Sequence, residues 1–251
     1  MNDSLSVKLA DNEYYHGTEA YKALPILYEG FRLKKEYCDY GSGGTFKQAL
    51  YLTKSIDAAV VFGDFVFRCR LVDGVSILRI DEHYNQSIID SLRREFGKNI
   101  LTGDITKAMP RNKHLKKTEL IHLVNYRFAK RNNWMIGKYD YDKWDAVVSS
   151  VRQQLRKHKY DAIGETDDLT GLAILNPAFV KPLELYGARR ENLKGFLKKL
   201  DKQSFVYAVK NDIQELGEYC DSPKERAEWD TVSNRVEVLL ARYCQENGLP
   251  L

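Results

Sequence analysis

Four cysteines in 251 residues, Cys38, Cys69, Cys220 and Cys244, stand far apart and form no C-x-x-C pair. That spacing supports neither a zinc site nor a disulfide framework, and it points to a reduced compartment. No apolar run approaches the roughly 18 residues that a membrane helix needs. The opening residues, M-N-D-S-L-S-V-K, lack the basic start and apolar stretch of a secretory signal. The expectation is a cytoplasmic chain with no membrane partner. Glycines gather at 41–44, but in neither the G-x-G-x-x-G nor the G-x-x-x-x-G-K-[ST] order. Rossmann and P-loop nucleotide sites are therefore poor readings. The chain also lacks internal repeats and low-complexity tracts.

What is present suits a packed fold. Hydrophobic residues make up 43% of the chain, enough for a sizeable core, in one large domain or one domain with an appendage. The net charge of +4 is unevenly spread. Residues 100–160 carry 14 Lys or Arg against 5 Asp or Glu, whereas residues 187–251 balance 11 against 11. A basic segment of this kind either holds phosphates or an acidic partner through long-range attraction, or is a solvated helical face.

The first 80 residues read as mixed structure. Glu13 to His16 suits a short strand, and Glu19 to Tyr28 a helix with Ala20, Ala23, Leu24 and Leu27 on one face, ended by Gly30. D-Y-G-S-G-G-T at 39–45 is a loop by composition. Gln48 to Thr53 follows as a strand, and Ser55 caps a helix running to Phe62. Residues 65–71 and 75–80 alternate as strands. Apolar spacings of three and four predict helices at Tyr84–Phe96, Glu119–Lys130 and Tyr141–His158. Strand character returns at 160–164, 172–175 and 182–186. Beyond Arg189 the same spacings predict three helices, Glu191–Leu200, Phe205–Glu218 and Pro223–Glu246, the last begun by Ser222-Pro223.

Several residues have chemistry as well as packing to offer. His16, after an apolar strand in Y-Y-H-G-T, is either a hydrogen-bonded structural residue or a ligand for a ribose hydroxyl. Gly17 beside it has no side chain to bar a ligand from its backbone N–H and C=O, which suit a planar amide. Tyr51, between Leu50 and Leu52, is either a cross-strand packing residue or a face for a flat heterocycle, with Phe62 as a second face.

Taken in order, Y-H-G-T, the helix end I-L-Y-E-G-F, the glycine-rich loop and L-Y-L-T-K-S-I-D-A-A resemble the ADP-ribosyltransferase family. The likeness is to its diphtheria-toxin and poly-ADP-ribose-polymerase branch, whose signature runs His, Tyr, Glu. Y-D-A-I-G followed by L-A-I-L-N-P-A-F-V-K-P-L resembles the end of that domain. The resemblance covers 16–80 and 160–186, about a third of the chain.

The resemblance implies an α+β fold with a split β-sheet core at 1–187, a basic helical insert at about 84–159, and a helical C-terminal extension at 188–251. It implies that NAD is the substrate, with His16 on the adenosine ribose, Gly17 on the nicotinamide amide, Thr18 and Thr53 in support, and Tyr51 and Phe62 against the nicotinamide. It calls for no metal. The family's third residue is a Glu that steadies the oxocarbenium-like state. Counted back from Asn176-Pro177, its position falls at Gly171, preceded by Thr170, and neither supplies a carboxylate. The nearest acids are Glu165, Asp167 and Asp168, of which Glu165 and Asp168 are the stand-ins, unless they are solvated turn residues.

The expected activity is transfer of one ADP-ribose to a macromolecule, as an intracellular toxin of a toxin–antitoxin or anti-phage system, with an antitoxin or other protein as partner. Nucleic acid is slightly favoured over protein as acceptor, with Lys113, Lys116, Lys117, Arg127, Lys130 and Arg131 as phosphate contacts. A second reading is a non-catalytic NAD or ADP-ribose binding module whose tail binds a partner. A third is NAD-dependent RNA 2'-phosphotransfer, which also begins from H-G-T. It needs arginines near the pocket, and the first 60 residues offer Arg32 alone.

Overall fold

A computed structural model describes residues 5, 7–33, 49–79, 94, 153, 155–157, 159–164, 171–220 and 222–251. The chain is α+β and divides into two compact units. One comprises Met1–Tyr40, Leu52–Asp73 and Pro177–Leu251, the other Gly41–Tyr51 and Gly74–Asn176.

The first unit is built on antiparallel strands. β1 (Glu13–Thr18) pairs along its length with β3 (Phe65–Leu71), from Glu13↔Arg70 to Thr18↔Phe65. On its other side β1 meets the end of β2 (Leu50–Thr53) through Tyr15↔Thr53. β3 pairs in turn with β7 (Val180–Glu191), and β7 with β8 (Lys194–Lys198). A register shift at Arg68/Cys69 leaves Leu183 as the extra residue in β7, next to Pro182, which has no N–H to give the ladder.

Strand alternation sorts the side chains onto two faces. On one, Tyr15, Val66, Tyr186, Ala188 and Leu197 form a core with Ala59 and Val60. Those two come from α2 (Ile56–Ala59) and the 3-10 turn Val60–Phe62 that continues it. The other face meets helices. Phe65 packs edge-on against Phe205 with ring centroids 5.0 Å apart, and Phe205 against Tyr243 at 5.3 Å.

Local chemistry explains where the helices begin and end. α1 (Ala20–Glu29) buries Ala20, Tyr21, Ala23, Leu24 and Pro25, while Leu27, expected on the same face, is 38% exposed. Gly30 closes α1 at φ 72°, its N–H donating to the Ile26 carbonyl. Ser55 caps α2 by accepting from the Ala58 N–H. α3 (Lys202–Glu218) starts at Asp201, whose carboxylate accepts from the Gln203 and Ser204 N–H groups. α4 (Pro223–Asn247) starts in a full capping box between Ser222 and Glu225.

The helical tail docks on the rest of its unit. α1 has no side-chain cap of its own. Asp212, from the middle of α3, takes the Tyr21 N–H at 3.1 Å instead. Trp229 of α4 packs edge-on against Tyr21, and Arg235 pairs with Glu29 of α1. The boundary expected at 187/188 consequently falls inside β7, and both tail helices belong to the first unit.

The helix expected at Glu191–Leu200 is a strand. Leu193, Phe196, Leu197 and Leu200 are spaced three, one and three apart, which suits a helix face as well as a hairpin. The backbone decides it: Asn192 and Leu193 lie at φ 48° and 66°, forming a two-residue turn between paired Glu191 and Lys194. Leu197 then enters the core, and Gly195 makes room for Ile56 and Val60, whose side chains would lie 2.8 and 2.9 Å from a Cβ there.

Leu193 is 75% exposed in a left-handed conformation that costs a non-glycine residue about 1–2 kcal/mol. Glycine would relieve that strain but lose more entropy on folding, by about 0.5–1 kcal/mol. Leu193→Gly should therefore stabilise the protein by about 0.5–1 kcal/mol, raising Tm by roughly 2 °C in a thermal melt. A lower Tm would mean that the leucine side chain supplies a contact worth more than the strain.

In the second unit, β5 (Ala162–Gly164) pairs in parallel with β4 (Ile77–Arg79) and antiparallel with β6 (Gly171–Ile174). Ala162, Ile163, Leu172, Ala173 and Ile174 are fully buried. Asp161 anchors the start of β5, its N–H donating to the Ser76 carbonyl at 2.8 Å and its carboxylate accepting the Ser76 N–H at 3.2 Å. Most of the expected basic insert at 84–159 lies outside the described residues. Within it, 94, 153 and 155–157 are helical.

Candidate functional site

Of the residues singled out for ligand binding, His16, Gly17 and Thr18 are consecutive in β1. His16 is half-buried, its ring edge-on to Phe31 with centroids 5.2 Å apart, and Phe31 is in turn edge-on to Phe67. The histidine thus sits on the face of β1 shared with Phe67, its cross-strand partner.

Gly17 points the other way, and the space left by its missing side chain is filled. A Cβ built there would lie 1.8 Å from the Ala59 carbonyl oxygen and 2.6 Å from its carbon. The last residue of α2 is therefore seated directly on Gly17, which gives that glycine a packing role whatever else it does.

Thr18 is 4% exposed. Its carbonyl abuts Gly63, where a built Cβ would meet the Thr18 oxygen at 2.1 Å. This contact brings Phe62, the preceding residue and 59% exposed, to the C-terminal end of β1.

Tyr51 and Thr53 alternate with buried Leu50 and Leu52 along β2, so both are half-buried on the opposite side of that strand. Thr53 Oγ1 accepts the Ser55 N–H at 3.0 Å and so helps start α2. His16, Gly17, Thr18, Thr53 and Phe62 are all gathered around β1 in one unit. Glu165 and Asp168 lie outside the described residues, as do Lys113, Lys116, Lys117, Arg127, Lys130 and Arg131. Gly171, where the resemblance would put a carboxylate, opens β6. Among the described residues nothing lies within 4 Å of a Cβ built there.

Sequence reasoning missed the residue that fastens β2 to the start of β1. Lys54, directly after L-Y-L-T, donates to three backbone carbonyls: Ala10 at 3.1 Å, Asp11 at 2.6 Å and Glu13 at 2.6 Å. Its ammonium also lies 4.1 Å from the centre of the Tyr14 ring. Burial pushes its pKa down from the ordinary lysine value.

Glu13, only 4% exposed, accepts from Arg70 at 2.7 Å and from the Ala10 N–H at 3.2 Å. The Arg70 bond leads in holding its carboxyl below the usual range. Tyr186 is pushed up to about 12 by burial, helped by the bond it donates to Glu184. The signal for Lys54 was its place at the end of the quoted motif. No local signal marked Glu13.

Among the described residues, no group of three or more His, Cys, Asp or Glu is placed to hold a metal, and no helix is long and apolar enough to cross a membrane. Comparison with protein-family models, curated proteins and solved structures finds no match to this chain.

Proposed function

We propose that the protein is a mono-ADP-ribosyltransferase with an ADP-ribosyltransferase-like split sheet, acting inside the cell as a toxin on a macromolecule. One observation carries the reading. The two motifs on which the family resemblance rests, Y-Y-H-G-T and L-Y-L-T, form neighbouring antiparallel strands registered at Tyr15↔Thr53, although about 35 residues separate them. Strands that line one cleft need to be adjacent, and Lys54 fastens them together.

In this reading His16 holds the adenosine ribose, the Gly17 backbone pairs with the nicotinamide amide, and Tyr51 stacks on the ring with Phe62 near the edge. The bond between the ribose anomeric carbon and the nicotinamide nitrogen breaks, and its electron pair leaves with nicotinamide. An acceptor nitrogen or oxygen then bonds to that carbon and releases its proton to solvent. Glu165 or Asp168 stabilises the positive charge that develops on the ribose. Positioning supplies the rest of the rate.

The second reading, a binding module without transfer, draws on Gly171, which offers no carboxylate where the family has one. Both are tested by incubating the protein with NAD labelled on its adenine side and a lysate separated into protein and nucleic-acid fractions. The expected result is label in one fraction, with Tyr51→Ala lowering both NAD affinity and transfer at least tenfold. Gly171→Glu sharpens the contrast, because no described residue lies within 4 Å of a Cβ at 171. Transfer by Gly171→Glu alone would make the natural chain a binding module. Full transfer by Tyr51→Ala would remove the pocket assignment.

A further inference from the structure

The even charge balance of residues 187–251 conceals a division. Residues 189–202 hold six cations, Arg189, Arg190, Lys194, Lys198, Lys199 and Lys202, against Glu191 and Asp201. Residues 203–251 hold 5 Lys or Arg against 9 Asp or Glu. The β7–β8 hairpin is thus strongly basic beside acidic helices. Both acids of residues 189–202 already have partners: Glu191 lies 3.2 Å from Arg189, and Asp201 caps α3.

Pairing places the cations in a pattern. Gly187↔Lys198, Arg189↔Phe196 and Glu191↔Lys194 are cross-strand partners, so Lys194, Phe196, Lys198 and Arg189 share one face. The Arg189 guanidinium lies 5.5 Å from the centre of the half-buried Phe196 ring. Lys198 lays its stem over Gly187, where a built Cβ would meet it at 3.0 Å, and its ammonium end remains exposed. Lys194 and Lys198 are about 13 Å apart along the strand, enough to reach separate phosphates of one nucleic-acid strand.

The geometry points to this hairpin face as a docking surface for single-stranded nucleic acid. Lysines two residues either side of an arginine-backed aromatic can grip successive phosphates while a base stacks on the ring or on the guanidinium plane. An acidic peptide would satisfy the lysines but make no use of Phe196 with Arg189 over it. The inference concerns binding alone and is independent of the NAD reading.

The test is fluorescence anisotropy of the full chain with labelled single-stranded DNA and RNA of about twenty nucleotides, a duplex of equal length, and a polyglutamate competitor. The charge-removal triple variant Arg189→Gln, Lys194→Gln, Lys198→Gln should bind single strands at least tenfold more weakly. Its slope of log affinity against log salt should be shallower by about 2, from three lost contacts at about 0.7 each. Phe196→Leu keeps an apolar side chain and should lower affinity without changing the slope. Lys116→Gln with Lys117→Gln separates any contribution from the segment at 100–160.

Unchanged affinity and slope in the triple variant would overturn the proposal, even if the variant aggregates, since the lysines would then serve only to guard an edge strand. Tighter binding of polyglutamate than of either oligonucleotide would also overturn it. A preference between DNA and RNA identifies the natural strand.

Discussion

Gly17→Ala is expected to destabilise the protein by about 3 kcal/mol, the upper end of what overpacking usually costs. The methyl group would begin 1.8 Å from the Ala59 carbonyl oxygen, far inside any van der Waals contact. The obstructing atom is backbone, so no rotamer change relieves it. α2 would have to shift as a body, yet Ser55 caps its start and Val60 just beyond its end sits in the core with Tyr15 and Val66. For a chain of this size the loss lowers Tm by roughly 6–12 °C. Circular dichroism through a thermal melt reads it directly. A Tm within about a degree of the natural protein would mean that α2 is not seated on Gly17. The same geometry warns against reading function from this position, because a loss of activity in Gly17→Ala follows from misplacing α2 whether or not NAD binds there.

Phe205→Ala should cost about 3–5 kcal/mol, the range for truncating a buried aromatic. Phe205 has no exposed surface and joins Phe65 of the sheet to Tyr243 of the last helix. Removing it leaves a cavity between them. Against a total stability of about 5–15 kcal/mol, that is about a fifth of the whole or more. The form of the denaturation curve is as informative as its midpoint. A tail that belongs to its unit gives one transition, moved to lower urea. A sheet transition that stays in place while helical signal melts earlier would mark the tail as a separate body and contradict the docking described above.

What could be read from the sequence follows the range of the forces involved. Gly30, Ser55 and Ser222-Pro223 mark helix ends through bonds reaching only three or four residues, and all three act as expected. β1, β3 and the strands at 162–164 and 171–174 were visible for a similar reason, since their apolar runs are short and bounded. Residues 191–200 defeated the periodicity because their apolar positions fit two periods, and the deciding feature, two positive φ angles at Asn192 and Leu193, includes a leucine that ordinarily avoids them.

Around the candidate site, local motifs show which residues stand together in the chain but not what packs against them. A missing side chain at Gly17 suggests access for a ligand, but the space is taken by Ala59, the last residue of α2. Asp212 carries no local sign of its task, because the N–H it caps is 191 residues away in the chain. Long-range partners of that kind are invisible to any window of ten or twenty residues.

That separation bears on how the protein is made. Synthesis at about 5–20 residues per second places roughly 10–40 s between α1 leaving the ribosome and Asp212 emerging to cap it. β3 waits roughly three-fifths as long for β7. During that interval the nascent chain has its first helix without the carboxylate that completes it, and its central strand with one edge open. Maturation is therefore tied to the emergence of distant segments, and the Y-Y-H-G-T strand reaches its finished surroundings only after Tyr186 and Leu197 have been made to join Tyr15 in the core.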